Sequence, residues 1–598
     1  MTVKGHGELS EVPTRIFSCD KALVILLSVA AFLFTPCPSE AQVNNIVADE
    51  AAEPLIEPFG PAPLPAPGPE EIRLAGNLIR GGAMNVPVPK DGWVHIRYTG
   101  MLCPYTGGKY LTFTREGVRV YLSIDEGPRW LVGVKVTGSE DMAAVAEALK
   151  EESPLQLVLW CTCCLPAEFG KLKELERIAY LRPVMHPHHV GDSAEFYVVK
   201  FTDLRGLASL KSVTSLDLRG TAELTDLRPL AKLTKLTSLS LRGCDRLPDL
   251  SPLAKLDRLE SLDLSLFNRF CAPKSFTDVS ALSGLIALKS LDLSYHRDLA
   301  DITPLAGLTR LRSLGLSACR VSDIRPLARL TALESLRVSP WPQRNLPDTQ
   351  RISDLSPLAN LTNLEVLRMG AVSQRVSDIS PMQSLTKLKE LSLESWHGVT
   401  DLTPLTAAKE LEYLRLGGFP GLSSLPPLSE CRQLRNIELD GLEKLSDISP
   451  IAEVKSLESF RVVRSYKLSD FSPLAELNHL KSLTFIYSGI DDLSPLSGLS
   501  ELRDLSLVGC SRVTDLSPLE KLVQLRKLNL NTSRNFSDLR PLSKLTSLES
   551  LDLRSCDRVH DLRPLQPIVA KGRVRWGYGL LLDKHLMSQA KELEVAVE

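Results

Sequence analysis

Thr225-Asp226-Leu-Arg-Pro-Leu-Ala-Lys-Leu-Thr-Lys-Leu-Thr-Ser-Leu-Ser-Leu241 is the phrase that decides the fold. It recurs sixteen times with a usual period of 23 residues, and proline stands three residues after the opening aspartate in fourteen copies. A period held over this length indicates a solenoid, because one unit cannot bury its leucines without a stacked neighbour. The opening residue, here called the marker of each repeat, is serine at 424 and aspartate at 203, 226, 249, 278, 301, 323, 354, 378, 401, 447, 470, 492, 515, 538 and 561.

Each repeat predicts a strand, a turn and a short helix. The alternation Leu239-Ser240-Leu241 is typical of a strand with one buried face. Pairs such as Ser251-Pro252 favour an N-cap followed by the first helical residue, and leucines at spacing three suit a short 3₁₀ or α turn. The marker aspartate is expected to accept hydrogen bonds from backbone N–H groups in the turn. The alternative is a ladder of carboxylates that binds cations.

Composition limits the classes of function. The chain has 598 residues, and 70 basic against 72 acidic side chains give a net charge of −2. The hydrophobic fraction of 43% and the charged fraction of 24% exclude wholesale disorder and a protein with many membrane spans. A near-neutral charge also argues against a nucleic-acid partner, which would require clustered Lys and Arg.

The repeat resembles a known family. The motif Leu-x-x-Leu-x-Leu and the motif Asp-Ile-x-Pro, present at Asp378–Pro381 and Asp447–Pro450, resemble leucine-rich repeats of the bacterial internalin-like class. The resemblance covers roughly residues 200–576, with irregular turns reaching back to Leu155. It implies an α/β right-handed solenoid with a parallel sheet on the concave face and short 3₁₀ or α turns on the convex face, used for binding proteins or other ligands. The repeat is longer than the usual 22 residues and its ladder asparagine is usually replaced, so no internalin receptor is inferred.

The N-terminus predicts export. Basic residues Lys4, Arg15 and Lys21 precede an uncharged run over 22–34, which is too short for a membrane span of about 20 residues but matches the core of a signal peptide. We therefore predict a signal peptide over 1–41, with an uncleaved anchor as the alternative. No transmembrane span is expected in the mature chain. Seven prolines between residues 54 and 69 then predict an extended linker over 42–70.

The segments flanking the regular repeats are predicted to cover the ends of the solenoid. Residues 71–150 contain strand patterns that begin at Trp93, Tyr110, Val118 and Trp130, and predict a small β-rich N-terminal cap. An independent binding or catalytic domain is the alternative there. The solenoid is predicted over 151–576, irregular to about 200, and a helical cap over 577–598.

Cysteine and histidine were considered as possible metal or disulfide sites. Cys244, Cys319, Cys510 and Cys556 share one repeat position and are never in neighbouring repeats, so they are predicted to be buried ladder residues rather than disulfides. The segment from Cys161 to Cys164 favours a local disulfide or plain packing over zinc. The histidines at 186, 188 and 189 form a surface loop or, with Asp192, a metal site.

Two surfaces are candidate binding sites. The residues between the strand leucines are expected to line the concave face, where charged neighbours could simply pair with one another; these are Arg368, Ser392, Arg415, Glu438 and Arg461, with Tyr413 beside them. Two long insertions must leave the C-terminal ends of their strands on one rim. They carry aromatic and Arg side chains typical of interfaces, or are neutral insertions that fold back: Phe267, Arg269 and Phe270 in the first, Trp341, Gln343 and Arg344 in the second.

The sequence contains no glycine-rich phosphate loop, nucleophile elbow or HExxH motif. We therefore predict an exported, non-catalytic scaffold, monomeric and without a cofactor, that binds a protein or cell-surface ligand. One alternative is a hydrolytic or metal-dependent enzyme with its site in residues 71–200 and the repeats as a recognition arm. Another is a purely structural envelope protein.

Overall fold

The computed structural model describes residues 204–569 apart from 222–223, 267–275, 340–347 and 371, together with isolated strands before and after this part. The predicted signal peptide, linker, Trp93 segment and histidine cluster lie outside the described residues, as do residues 267–275 and 340–347 of the two long insertions. The strands are β1 Tyr110–Arg115, β2 Val118–Ser123, β3 Leu131–Val136, β4 Gln156–Cys161, β5 Arg177–Tyr180, β6 Ser215–Asp217, β7 Ser238–Ser240, β8 Ser261–Asp263, β9 Ser290–Asp292, β10 Ser313–Gly315, β11 Ser335–Val338, β12 Val366–Gly370, β13 Glu390–Glu394, β14 Tyr413–Gly417, β15 Asn436–Asp440, β16 Ser459–Val463, β17 Ser482–Ile486, β18 Asp504–Val508, β19 Lys527–Asn529, β20 Ser550–Asp552, β21 Val574–Trp576 and β22 Ala596–Val597.

One sheet connects these strands. β1, β2 and β3 form an antiparallel meander, and β3 then pairs in parallel with β4. Each later strand pairs in parallel with its predecessor, so the predicted sheet through Leu216, Leu239 and every equivalent position to Val574 is confirmed. Parallel pairing begins at β3, which is one strand upstream of the predicted solenoid boundary at residue 151.

Short 3₁₀ helices follow the markers in sequence, except Asp348–Gln350, which precedes the marker Asp354. The structure places serine and proline differently from the predicted cap: Ser251 is the first helical residue, Pro252 the second, and the N-cap is Leu250, which makes no side-chain capping bond. The helices are Arg205–Ser209, Arg228–Lys232, Ser251–Lys255, Ser280–Leu282, Thr303–Gly307, Arg325–Arg329, Asp348–Gln350, Ser356–Asn360, Ser380–Ser384, Thr403–Ala407, Ser449–Glu453, Ser472–Leu474, Ser494–Leu496, Ser517–Lys521, Arg540–Lys544 and Arg563–Leu565, followed by a one-turn α-helix Gln566–Val569.

The marker aspartate binds the first helical N–H, which confirms its predicted role in the turn. The N–H of Ser251 donates to Asp249 Oδ1 at 2.8 Å, and the same bond recurs from Thr403 to Asp401 at 2.8 Å. Hydrogen bonds from the Ser251 hydroxyl and backbone lower the pKa of Asp249. The carboxylate therefore replaces a conventional N-cap side chain.

The repeat with marker Ser424 shows why aspartate is needed elsewhere. Two residues after this marker stands Pro426, which has no N–H to donate. The described residues 426–430 contain no 3₁₀ helix, whereas the preceding repeat has one at Thr403–Ala407. This repeat therefore lacks both the carboxylate acceptor, at Ser424, and the backbone N–H donor, at Pro426.

The interior is a continuous column of aliphatic side chains. Leu239 and Leu241 are fully buried, and so are the equivalent strand residues Leu391 and Leu393. In twelve of the described repeats, a residue just beyond the strand, 17 residues after the marker, adopts a left-handed backbone conformation. Glycine tolerates this conformation without strain, yet only some repeats use it: the positive φ values fall at Gly220, Gly243, Tyr295, Ala318, Ser395, Gly418, Gly441, Arg464, Tyr487, Gly509, Thr532 and Ser555.

The next residue, 18 after the marker, occupies the ladder position. There Cys319 Sγ donates to the carbonyl of Leu293 at 3.2 Å, and Cys556 Sγ donates to that of Leu530 at 3.1 Å. Each acceptor belongs to the preceding repeat, 15 residues after that repeat's marker. The four ladder cysteines are buried and unoxidised, as predicted. Burial raises the pKa of the Cys319 thiol to about 12, so these thiols are unreactive at neutral pH.

His296 occupies the ladder position of its repeat and predicts a pH dependence. It is 1% exposed, Nε2 donates to the Leu264 carbonyl at 2.7 Å, and the ring packs on Phe276 with centroids 4.0 Å apart. Burial lowers the pKa of His296 from 6.5 to about 4, although the Leu264 carbonyl and Asp292 oppose this shift. The unfolded chain therefore binds a proton more readily than the folded chain does between these pH values.

We expect stability to fall as pH drops from about 6.5 towards 4, by about 3 kcal/mol. His296→Cys supplies the residue found at Cys319 and removes the titrating group. The measurement is the pH dependence of the free energy of unfolding in urea for both proteins, and the difference between the two curves isolates His296 from the carboxylates. Parallel curves would contradict the prediction.

The C-terminal prediction is wrong at its last two described residues. Ala596–Val597 is a strand paired in parallel with Arg575 and Trp576, where the sequence predicts helix. Strand β21 would otherwise leave an open edge, and the extended residues Ala596 and Val597 satisfy some of its unpaired backbone groups. The remainder of the predicted helical cap lies outside the described residues.

Candidate functional site

The concave face presents the strand residues that point away from the core. Along β14, Leu414 and Leu416 are buried, while Tyr413 and Arg415 between and beside them are half-buried. Because the strands are in register, the residue between the two buried strand side chains forms one row along the molecule. This middle row reads Asp217, Ser240, Asp263, Asp292, Gly315, Arg337, Arg368, Ser392, Arg415, Glu438, Arg461, Thr484, Ser506, Asn529 and Asp552.

Arg415 lies at the centre of a charged cluster. Its guanidinium contacts Glu394 at 2.8 Å and Glu438 at 3.1 Å, and its side chain is only 17% exposed. Burial raises the pKa of neighbouring Tyr413 to about 12, and the carboxylate of Glu438 contributes. Two carboxylates therefore neutralise Arg415, so the intramolecular pairing left open by the sequence is present in the structure.

This geometry changes the expected effect of Arg415→Ala. Pairing between exposed groups would predict an almost unchanged melting temperature, but removing a largely buried partner leaves two carboxylates without their cation. We expect the free energy of unfolding in urea to fall by about 1–3 kcal/mol. The matched control is Arg435→Ala, whose side chain is 62% exposed and contacts Glu458 at 3.5 Å; it should cost less than about 1 kcal/mol. Equal losses would contradict this prediction.

The other predicted concave residues lie on the same face but differ in surroundings. Arg368 forms an ion pair with Glu390 on the next strand. Ser392 is half-buried between Arg368 and Arg415. Arg461 is in register with Glu438, but no ion pair joins Arg461 to any residue of the described part. The predicted rim residues, from Phe267 to Phe270 and from Trp341 to Arg344, lie outside the described residues.

The sequence reasoning missed the upstream half of the middle row. Asp263, Asp292 and Arg337 occupy the same position as Arg368 in earlier repeats, so the spacing already identified them. At the downstream end, two positions further along the strands, the face becomes apolar: Val463, Ile486 and Val508 are in register on β16, β17 and β18. The concave face therefore combines an acidic, a basic and an apolar region.

Within residues 204–569 and the isolated strands, no three His, Cys, Asp or Glu side chains are grouped closely enough to hold a metal. The described helices are all too short or too polar to cross a bilayer.

Known structures share this repeat architecture. An internalin from Listeria monocytogenes is 28% identical in sequence. The match covers 58% of this chain and 89% of that chain, with a TM-score of 0.43. Internalin C2 of the same species is 35% identical in sequence. The match covers 32% of this chain and 76% of that chain, with a TM-score of 0.28. A plant peptide hormone receptor, RGFR1 in complex with RGF2, is 16% identical in sequence. The match covers 73% of this chain and 76% of that chain, with a TM-score of 0.41. No family model and no curated protein matches the chain.

The described repeat defines the class of protein. Parallel strands in register, 3₁₀ helices opened by aspartate, and a buried ladder position are the parts of a right-handed leucine-rich-repeat solenoid. The chain has the leucine-rich-repeat fold, and the solved structures to which it is similar include the two internalins.

Proposed function

We propose that the protein is an exported, non-catalytic scaffold whose concave face binds a protein or cell-surface ligand. The observation that supports this is the concave face itself: half-buried charged and apolar side chains project in register from a sheet whose opposite side is fully packed. A rigid surface loses little conformational freedom on binding, and mixed apolar and charged patches match the composition of protein interfaces.

The test is capture of partners from the organism's own envelope fraction. Ser506→Arg places a bulky cation in the middle row of β18 and should reduce capture. The matched control is Val523→Arg, which adds the same group in the next turn of the chain at a site that is 50% exposed and outside the strands. Loss of capture in the control but not in Ser506→Arg would exclude the concave face.

The insertions that follow Leu266 and Ser339 are a second proposed contact, because their sequences carry Phe267, Arg269 and Trp341. Deleting the extra residues of both insertions should leave unfolding unchanged and abolish capture. Unchanged affinity in a folded double deletion would remove the rim from consideration. Cell fractionation of the full chain tests export independently.

A further inference from the structure

The middle row changes sign over five neighbouring strands. From β8 to β12 the residues in register are Asp263, Asp292, Gly315, Arg337 and Arg368. Like charges on adjacent strands destabilise a sheet, whereas alternating charges stabilise it. Further along the same row, Arg415 and Glu438 do alternate and pair at 3.1 Å. The order acidic, acidic, glycine, basic, basic is therefore not what folding stability alone would favour.

The acidic side of this boundary is incompletely neutralised. Burial and the neighbouring Asp292 carboxylate raise the pKa of Asp263, although Ser265 and Arg242 oppose the shift. Asp292 is held by the backbone N–H of Ser294 at 2.8 Å. Its carboxyl group lies over Gly315, so that a Cβ on residue 315 would be only 2.7 Å from Asp292 Cγ. A larger residue at position 315 would therefore require the Asp292 carboxylate to move.

The basic side contains an arginine that has no ion-pair partner among the described residues. Arg337 Nε is buried and has no hydrogen-bond acceptor, and no ion pair joins Arg337 to any residue in the described part of the chain. Arg368, one strand away, forms an ion pair with Glu390. Two guanidinium groups about 4.8 Å apart along the sheet can offer parallel N–H groups to one carboxylate.

We propose that Arg337 and Arg368 bind a carboxylate of a protein partner, and that Asp263 and Asp292 bind a cationic side chain of the same partner segment. This inference rests on the proposed binding function and names the chemistry of the partner. The centres of the two pairs are three strands apart, about 14 Å. An extended chain advances about 3.3 Å per residue, so the two partner groups are about four residues apart and on the same face. In the sequence, the two insertions follow β8 and β11, which are the strands that bear Asp263 and Arg337.

The probe is a fluorescent peptide with blocked ends, acetyl-Ser-Arg-Ser-Ser-Ser-Glu-Ser-amide, titrated with the full chain at low salt. The control peptide has the same composition but adjacent Arg and Glu. We expect the spaced peptide to bind at least about tenfold more tightly. The double variant Arg337→Gln, Arg368→Gln should remove this difference. Arg435→Gln, which removes the same charge from an exposed site outside the strands, should retain it.

Three results would overturn the proposal: no binding of the spaced peptide at millimolar protein, equal binding of both peptides, or equal loss in Arg435→Gln. A marked loss of stability in Arg337→Gln would also overturn it, because Arg337 would then be paired within the fold. A third peptide, acetyl-Ser-Arg-Ser-Ser-Ser-Ser with a free carboxyl end, distinguishes a chain terminus from a side chain as the source of the carboxylate. Envelope partners captured equally by the double variant would refute this site and leave the proposed function intact.

Discussion

Replacing Leu393 with aspartate is expected to destabilise the solenoid by more than about 4 kcal/mol. Leu393 is fully buried on β13, with Met369 on one neighbouring strand and Leu416 on the other in register with it. Aspartate would lose the apolar contacts of leucine and place a carboxylate where no described side chain can donate to it. The measurement is urea unfolding followed by far-ultraviolet circular dichroism.

Ser392→Asp is the matched control for this charge. Residue 392 is adjacent in sequence but faces outward, between Arg368 and Arg415 on the neighbouring strands. The same carboxylate there remains partly solvated and has cations nearby, so the change should stay within about 1 kcal/mol. If both variants unfolded like the parent protein, Leu393 would not lie in the core. A broadened transition in Leu393→Asp is expected as well, because solenoids unfold through local units.

The repeat made the fold predictable because one rule is repeated along the chain. The alternation at Leu239-Ser240-Leu241 fixes which face is buried, and a slip of one residue would expose every leucine. The marker aspartate was predictable for the same local reason, since its acceptor role involves the N–H only two residues away. The N-cap was assigned wrongly at Ser251 because Asp249 captures that N–H first, and both residue types favour such turns.

The sequence could not predict which arginines of the middle row are paired with carboxylates, because pairing depends on whether side chains on neighbouring strands can reach one another. Arg415 and Arg337 occupy equivalent positions, yet only Arg415 has carboxylates at 2.8 and 3.1 Å. The difference arises from residues at neighbouring positions: Glu394 and Glu438 are next to Arg415, whereas Gly315 and Arg368 are next to Arg337. The repeat spacing was enough to identify the middle row. The predicted binding residues nevertheless began at Arg368 and omitted Asp263 and Asp292.

Trp396 carries the second large expected effect. It occupies the ladder position, is fully buried, and its ring stacks on Phe419 with centroids 6.4 Å apart and planes at 13°. Its Nε1 donates to the Met369 carbonyl at 3.2 Å, the acceptor that corresponds to Leu293 in the repeat of Cys319. Trp396→Ala should cost about 3–5 kcal/mol, because it leaves a cavity and removes the donor together.

Two further variants separate the cavity from the hydrogen bond. Trp396→Phe keeps most of the volume beside Phe419 but leaves the Met369 carbonyl without its donor, and should cost about 1–3 kcal/mol. Trp396→Cys supplies the thiol that Cys319 uses but loses the indole volume. If packing dominates, Trp396→Cys is destabilised nearly as much as Trp396→Ala; if the ladder bond dominates, Trp396→Cys is the more stable of the two. Because the other ladder donors are cysteine, serine and histidine, each much smaller than tryptophan, we expect packing to dominate at this repeat. A free energy of unfolding for Trp396→Cys closer to that of the parent than to that of Trp396→Ala would reverse this assignment.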